Sequence, residues 1–201
     1  MAKVTELSQL DRNGTYSYAD YLTWRLDEAV ELIKGKIFTM SPAPNVKHQR
    51  ISGKLFLDLG AYFKNKPCEV FSAPFDVKLY DRRQSTLSDR EVSSVVQPDL
   101  CVICAREKLT EQGCDGAPDW IIEVLSPGNN KKELRFKYDL YRESGVGEYW
   151  LVYPYEQIVQ QFVLDRDTKE YRLHALYAGD EIASPYLFPD LTIDLTEVFA
   201  E

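Results

Sequence analysis

The stretch DWIIEVLS, residues 119–126, constrains the fold most, because it combines a strand pattern with a carboxylate. Its two isoleucines, with Val124 and Leu125, predict a strand that is buried on both faces. Glu123 lies in the middle of this apolar run. A buried carboxylate is unfavourable unless it is paired or bound to a metal. The strand therefore predicts either an ion pair or a metal site inside a sheet.

The other patterns along the chain predict an α/β (α+β) fold with a central mixed sheet, flanking helices and additional β-hairpins. Helices are expected after Ser17, over 45–65 with an apolar stripe, and over 131–144, where Gly145 ends the last one. A hairpin is expected around Lys34-Gly35. Further strands are expected at 68–72, 75–79, 95–104, 119–125 and in GEYWLVYP, with a second hairpin at 158–165 and 171–176 and a short C-terminal strand and turn.

The chain has 201 residues, 44% of them hydrophobic, which suits one domain with a substantial core. We expect residues 1–16 to form a mobile N-terminal segment, residues 17–201 to form the single domain, and the polar residues 81–92 to form an exposed loop. Apolar runs fall short of the roughly 20 residues that cross a bilayer. The N-terminus also lacks the apolar core of a secretory signal. These features predict a cytoplasmic protein.

Four cysteines without an export signal predict reduced thiols. Cys101 and Cys104 have the spacing of half a zinc site, for which Cys68 and Cys114 would be the other ligands. However, residues three apart on a strand point to opposite faces, and the chain has no second closely spaced Cys or His pair. We therefore predict buried free thiols rather than zinc ligands.

A second carboxylate, Asp99, lies in the apolar stretch VVQPDLCVI. Because Pro98 cannot donate a hydrogen bond to a neighbouring strand, we expect an irregular or edge strand near Asp99. Asp99 and Glu123 on neighbouring strands could share one Mg²⁺ or Mn²⁺ ion, with water completing the coordination. The alternative is purely structural: Glu123 could pair with Lys137 or Arg135 on the following helix. The spacing alone leaves both interpretations open.

A family resemblance adds to this reasoning. The order P-D, about two dozen residues, then E-x-apolar on a strand resembles the PD-(D/E)XK or restriction endonuclease-like superfamily. The stretches VELIKGKIFTMSPAP, VVQPDLCVI, DWIIEVLSP and KKELRFKYDLYRESGVGEYWLVYP together resemble the Uma-type family of candidate restriction endonucleases, long catalogued as a domain of unknown function and abundant in cyanobacteria.

The resemblance implies a central four-stranded mixed sheet flanked by helices, a divalent cation, and hydrolysis of phosphodiester bonds in DNA. It implies that Asp99 and Glu123 bind the metal and that Val124 lends a backbone carbonyl. The chain departs from the superfamily at the lysine of E-x-K, where it has Leu125. Lys137 on the next helix looks like the substitute, and Lys131 and Lys132 are further candidates.

Two further residues in the matched stretches are candidate accessory groups. Glu31 belongs to the E-L-x-x-G pattern and could reach the same cation, or could only balance charge at the hairpin. His48 follows the first matched stretch and could support the site or contact a phosphate, although a lone histidine is more often structural. Asp76 is a possible neighbour on weaker grounds.

Two classes of function follow from these residues. The first is a divalent-metal-dependent endonuclease acting on DNA, expected as a homodimer because two related sites can cut both strands of a duplex. The second is a catalytically inactive nucleic-acid-binding or regulatory module that keeps the fold. The net charge of −8 favours the second, because a nucleic-acid binder usually has a basic face. Two retained carboxylates at buried positions favour the first.

Overall fold

The computed structural model describes residues 4–40, 45–80, 88–89, 91–127 and 131–200, with only the backbone of 131–133. Most of the exposed loop expected at 81–92 lies outside these residues. The helices are α1 (Tyr18–Tyr21), α2 (Val46–Phe63), α3 (Lys131–Ser144) and α4 (Leu195–Phe199). None of the described helices is long and apolar enough to span a membrane.

The strands form two larger sheets and one small one. In chain order they are β1 (Val30–Ile33), β2 (Lys36–Thr39), β3 (Glu69–Ser72), β4 (Asp76–Leu79), β5 (Ser94–Val96), β6 (Leu100–Ile103), β7 (Leu109–Thr110), β8 (Gly113–Asp115), β9 (Trp120–Val124), β10 (Glu148–Tyr153), β11 (Ile158–Leu164), β12 (Tyr171–Ala178), β13 (Ile182–Ala183) and β14 (Ile193–Asp194). The first sheet has the order β2-β1-β5-β4-β8-β7, the second β12-β11-β10-β9-β6-β3, and β13 pairs with β14.

The predicted mixed α/β architecture is confirmed, but the expected central four-stranded sheet is wrong. The second sheet has six strands, because the hairpin β11–β12 extends the four strands β10, β9, β6 and β3 on one side. Strands β9 and β10 run parallel and α3 connects them, whereas β6 pairs antiparallel with β9. All five residues of β9 are buried, as its apolar pattern predicts.

The strand predicted over 95–104 is in fact two strands in different sheets. Strand β5 belongs to the first sheet and β6 to the second, and Gln97, Pro98 and Asp99 connect them. Proline has no N–H to donate to a neighbouring strand, so a break at this point is physically reasonable. The break places Asp99 where the chain crosses from one sheet to the other.

Helix α2 agrees with the sequence prediction except at one position of its apolar stripe. Asn45 caps the helix by accepting a hydrogen bond from the His48 backbone N–H at 2.9 Å. Ile51, Leu55, Leu59 and Phe63 are buried against the second sheet. Phe56, predicted to belong to the same stripe, is 38% exposed. Its position one residue after Leu55 rotates it away from the buried line of i, i+4 positions.

The prediction of reduced thiols is wrong for two of the four cysteines. Cys68 and Cys104 form a disulfide. They flank the antiparallel pair β3–β6, in which Glu69 lies opposite Ile103, so the next residues outward face each other. Cys101 and Cys114 are free and buried, as expected, and burial raises the pKa of both thiols.

Residues 4–16 have a defined place on the domain. Leu7–Gln9 form a short 3₁₀ turn. Val4, Leu7, Leu10 and Tyr16 pack against the buried cluster around Tyr18 and Trp24, beside the first sheet. The mobility expected for residues 1–16 stays a prediction, but their apolar side chains contribute to this cluster.

Glu148, at the start of β10, is a buried carboxylate with a structural role. It accepts hydrogen bonds from Nε1 of Trp150 at 2.6 Å, Nε2 of Gln161 at 2.7 Å, and the backbone N–H groups of Tyr186 and Leu187 at 3.0 and 2.8 Å. Glu148→Ala would leave these donors without their acceptor. We expect it to lower the free energy of unfolding by about 3 kcal/mol in urea denaturation, with a smaller loss for Glu148→Gln. Unchanged stability of Glu148→Ala would contradict this role.

Candidate active site

Asp99 reaches the strand that carries Glu123. Strands β6 and β9 are antiparallel, with Leu100 opposite Ile122, so Asp99 lies beside the end of β9. Its Oδ2 atom accepts a hydrogen bond from the Val124 backbone N–H at 2.8 Å and lies 3.2 Å from Nε2 of His48. The structure therefore brings Asp99, Val124 and His48 together.

Glu123 and Glu31 meet at one lysine. Nζ of Lys137 lies 3.0 Å from Oε1 of Glu123 and 3.0 Å from Oε1 of Glu31, and all three side chains are buried. Glu31 comes from β1 of the first sheet, Glu123 from β9 of the second, and Lys137 from α3, which connects β9 to β10. The ion-pair partner of Glu123 is thus Lys137 and not Arg135, among the residues described.

Tyr141 is a member of this cluster that the sequence prediction missed. Its hydroxyl donates a 2.6 Å hydrogen bond to Oε1 of Glu123, the same oxygen that contacts Lys137. Tyr141 lies four residues after Lys137 on α3, so the two side chains share one face of the helix. That spacing is the signal that could have identified it once Lys137 was chosen.

The net shift of the pKa is upward for both Glu123 and Lys137, but the causes differ. Burial raises the pKa of Glu123 to about 7; the Lys137 charge opposes this increase, and the charges of Asp99 and Glu31 add to it. Burial lowers the pKa of Lys137, but the two glutamates outweigh burial and the net shift is upward. Lys137 is therefore a buried cation, and Glu123 is a carboxyl group that can exchange a proton near neutral pH.

His48 shows the same balance beside Asp99. Burial lowers the pKa of His48, while its hydrogen bond with Asp99 and the charge of that carboxylate raise it, with a net increase. Nδ1 of His48 is buried and has no hydrogen-bond partner among the described residues. The contact through Nε2 fixes the orientation of the ring against Asp99.

Asp76 lies in a neighbouring polar group rather than in the cluster itself. Gln97 links the two: its backbone N–H donates to Oε1 of Glu31 at 2.8 Å, and its Nε2 donates to Oδ1 of Asp76 at 2.8 Å. The hydroxyl of Tyr18 donates to the other Asp76 oxygen at 3.2 Å. Gln97, which the sequence prediction also missed, lies between Asp76 and Glu31 and donates a hydrogen bond to each.

The cluster offers carboxylate oxygens, which are the kind of ligand that hard cations take. One oxygen each of Asp99, Glu123 and Glu31 accepts hydrogen bonds from protein groups, and the described residues donate none to the second oxygens, Oδ1 of Asp99 and Oε2 of the glutamates. No three His, Cys, Asp or Glu side chains in the described part of the chain converge as a metal-holding group. Mg²⁺ commonly uses one or two carboxylates with several waters, so the pair Asp99 and Glu123 suits it.

Comparison with known proteins is consistent with this geometry. The family model described as "Uma2: Putative restriction endonuclease" matches residues 18–196. The chain belongs to the Uma2 family. The resemblance based on the sequence motifs is therefore confirmed. The match covers the segments that carry Glu31, Asp99, Glu123 and Lys137.

A solved structure supports the fold. It is described as the crystal structure of a putative nuclease belonging to DUF820 from Anabaena variabilis ATCC 29413. The two chains are 21% identical, the TM-score is 0.70, and the match covers 92% of this chain and 97% of the other. Comparison with curated proteins finds no match. The Uma2 protein thus shares the fold of that chain.

Proposed function

We propose that this Uma2 protein is a divalent-metal-dependent endonuclease that hydrolyses phosphodiester bonds in DNA through a PD-(D/E)XK-type site. The observation that carries the proposal is the position of two carboxylates, Asp99 directly before β6 and Glu123 on the adjacent strand β9, with Lys137 at 3.0 Å from Glu123. The lysine that the superfamily pattern places two residues after the glutamate comes here from α3. The charge is kept although its position in the sequence differs.

The metal-holding role falls to Asp99, Glu123 and the backbone carbonyl of Val124. When bound, Mg²⁺ or Mn²⁺ supplies a Lewis acid for the phosphate and lowers the pKa of a coordinated water. Asp99 is held in place by the Val124 N–H and by His48, which support it from two directions. Support of this kind around a ligand commonly sets its orientation.

Lys137 acts as a fixed cation rather than as a proton acceptor. Its pKa is raised by Glu123 and Glu31, so the ammonium keeps its proton near neutral pH. A buried positive charge beside the reacting phosphate would stabilise the negative charge that develops during attack by water. Glu31 holds this ammonium from the opposite side, which makes it an accessory residue rather than a primary metal ligand.

Cleavage of closed circular DNA tests the proposal. Wild-type protein with Mg²⁺ or Mn²⁺ should convert supercoiled plasmid to nicked or linear forms, and chelation should stop the reaction. A closed circle has no ends, so conversion identifies an endonuclease. Asp99→Asn should abolish conversion, whereas Asp190→Asn, which removes the same charge from an exposed position, should leave it unchanged. Conversion by Asp99→Asn at the wild-type rate would contradict the assigned site.

The inactive nucleic-acid-binding or regulatory module remains a second candidate function, and one observation favours it. Lys137 lies between Glu31 and Glu123 and neutralises part of their charge without a metal. The acidic net charge of −8 points in the same direction. Such a module would bind DNA without cleaving it, whichever metal ion is present.

We also propose that the active enzyme is a homodimer, which a measurement of its mass in solution would test.

A further inference from the structure

A groove of about 990 Å³ opens beside Asp99 and His48. Its walls come from α2, from the end of β2, and from the connections before β4 and before β6. Asp99 and His48 are the residues of the candidate active site that line it. A substrate that reaches Asp99 by this route must therefore fit the shape and chemistry of the groove.

The size of the groove suits one strand of nucleic acid. The volume of about 990 Å³ lies at the upper end of the roughly 300–1,000 Å³ typical of small-molecule pockets. A duplex would have to remain outside the opening. An unpaired segment could enter with its phosphates and bases, and its phosphodiester bonds would pass Asp99.

The charges of the groove lead to the same result. Its described charged side chains are Arg12, Asp27, Glu28 and Asp99, with His48 as a titratable neighbour. Double-stranded DNA carries one negative charge per roughly 1.7 Å of its axis, and a single strand one per roughly 3.4 Å. Three carboxylates against one arginine repel both forms of DNA, and they repel a duplex more strongly than a single strand.

Phe56 supplies the contact that an unpaired base needs. It projects from α2 into the groove with 38% of its surface exposed, although its neighbours in the predicted apolar stripe are buried. Gln49 also lines the groove and offers an amide group to the edge of a base. Exposed aromatic side chains are the surfaces on which unpaired bases stack in proteins that bind single strands.

We infer that this groove binds an unpaired segment of DNA, with a base stacked on Phe56 and the sugar–phosphate backbone passing Asp99. The inference rests on the proposed function, because it names the substrate of the same site. It identifies single-stranded DNA, or the unpaired part of a branched or frayed duplex, as the substrate class. A fully paired duplex would bind more weakly, and supercoiled plasmid would be cut where its strands are transiently unpaired.

Fluorescence anisotropy with a labelled phosphorothioate oligonucleotide, which resists cleavage, tests the inference in the presence of Mg²⁺. The single strand should bind more tightly than the duplex made from the same sequence. Phe56→Ala should weaken binding of the single strand by about 5- to 140-fold, the effect of losing one stacked base. Phe56→Trp should retain binding, because it keeps an aromatic face.

Leu57→Ala is the matched control. Leu57 is the next residue of α2, is 70% exposed, and does not line the groove. Its replacement should leave the affinity for the single strand unchanged, and thermal unfolding should show that all variants are folded. Tighter binding of duplex, or equal affinity of Phe56→Ala and wild type, would overturn the inference.

The failure of this inference can be told apart from failure of the proposed function. Metal binding measured by calorimetry does not involve Phe56. A protein that binds metal and cleaves plasmid but prefers duplex would keep the proposed function and refute the groove assignment. A protein that binds single strands through Phe56 and takes up no metal would support the groove and refute the nuclease.

Discussion

Lys137→Met is expected to lower the free energy of unfolding by about 3–5 kcal/mol. Methionine keeps much of the length and apolar contact of the lysine stem but removes the ammonium that contacts Glu31 and Glu123 at 3.0 Å each. Two buried carboxylates would then face each other without a cation. The measurement is chemical denaturation of the metal-free protein near neutral pH.

The loss of stability in Lys137→Met should depend on pH, because the pKa of Glu123 is raised in the folded protein. Its pKa is about 7 in the folded protein and 4.5 as the ordinary value, so unfolding releases a proton between these limits. The stability that protonated Glu123 contributes is fully present at a pH below 4.5. It is lost as the pH rises through about 7. Without Lys137 the folded-state pKa rises further, so the defect of Lys137→Met should shrink in acid.

A triple variant provides the control. Lys137→Met combined with Glu31→Gln and Glu123→Gln removes the cation together with both charges it balances. This variant should recover much of the lost stability, because amide groups have no charge to leave unpaired. If Lys137→Met alone were as stable as the wild type, the ion-pair cluster would not be a structural element of the fold.

Tyr141→Phe is expected to weaken the binding of Mn²⁺ by about 10- to 100-fold, the usual effect of removing a supporting hydrogen bond from a metal ligand. The Tyr141 hydroxyl donates to Oε1 of Glu123 at 2.6 Å, which orients the second oxygen, Oε2. Phenylalanine keeps the ring in its buried position. The dissociation constant from calorimetry is the readout, and it requires no cleavage.

Tyr149→Phe is the control for this experiment. Tyr149 is also fully buried, its ring centroid lies 5.1 Å from that of Tyr141, and its hydroxyl has no hydrogen-bond partner in the described part of the chain. Removing that hydroxyl should leave metal affinity unchanged. Equal losses in the two variants would mean that Tyr141 acts through general packing and not through Glu123.

Local signals in the sequence were sufficient for several elements. Helix α3 has the predicted bounds because an amphipathic pattern ends at Gly145, whose positive φ of 90° suits a helix terminus. The hairpin at Lys34-Gly35 also forms as predicted, because both residues take the positive φ that its turn requires. In each case the information lies within a few residues.

Features that depend on distant contacts were not predictable in the same way. Apolar residues on both sides of Pro98 look alike in the sequence, and nothing local shows that β5 and β6 enter different sheets. The Cys68–Cys104 disulfide depends on the register of β3 with β6. Phe56 lies at the edge of the apolar stripe of α2, and the sequence does not show that neighbouring elements leave a groove beside it.

The residues of the candidate site also fall into two groups: those that local sequence patterns predict and those that only distant contacts reveal. Asp99 and Glu123 could be chosen because carboxylates in apolar strands need a partner, and Lys137 followed from the family pattern. Tyr141 and Gln97 were missed, because tyrosine and glutamine are common on helices and loops and reveal a role only through what they contact. Their importance comes from the sheet packing that brings β1, β9 and α3 together.

Metal binding by calorimetry tests the central claim most directly. Wild-type protein titrated with Mn²⁺ or Mg²⁺ should bind the ion, and the variant Asp99→Asn with Glu123→Gln should not. Both substitutions keep the shape of the side chains, and thermal unfolding would show that the variant is folded. Loss of binding in the variant is the result we predict. A folded wild-type protein that takes up no metal at millimolar concentration would contradict the assignment of a metal-dependent nuclease.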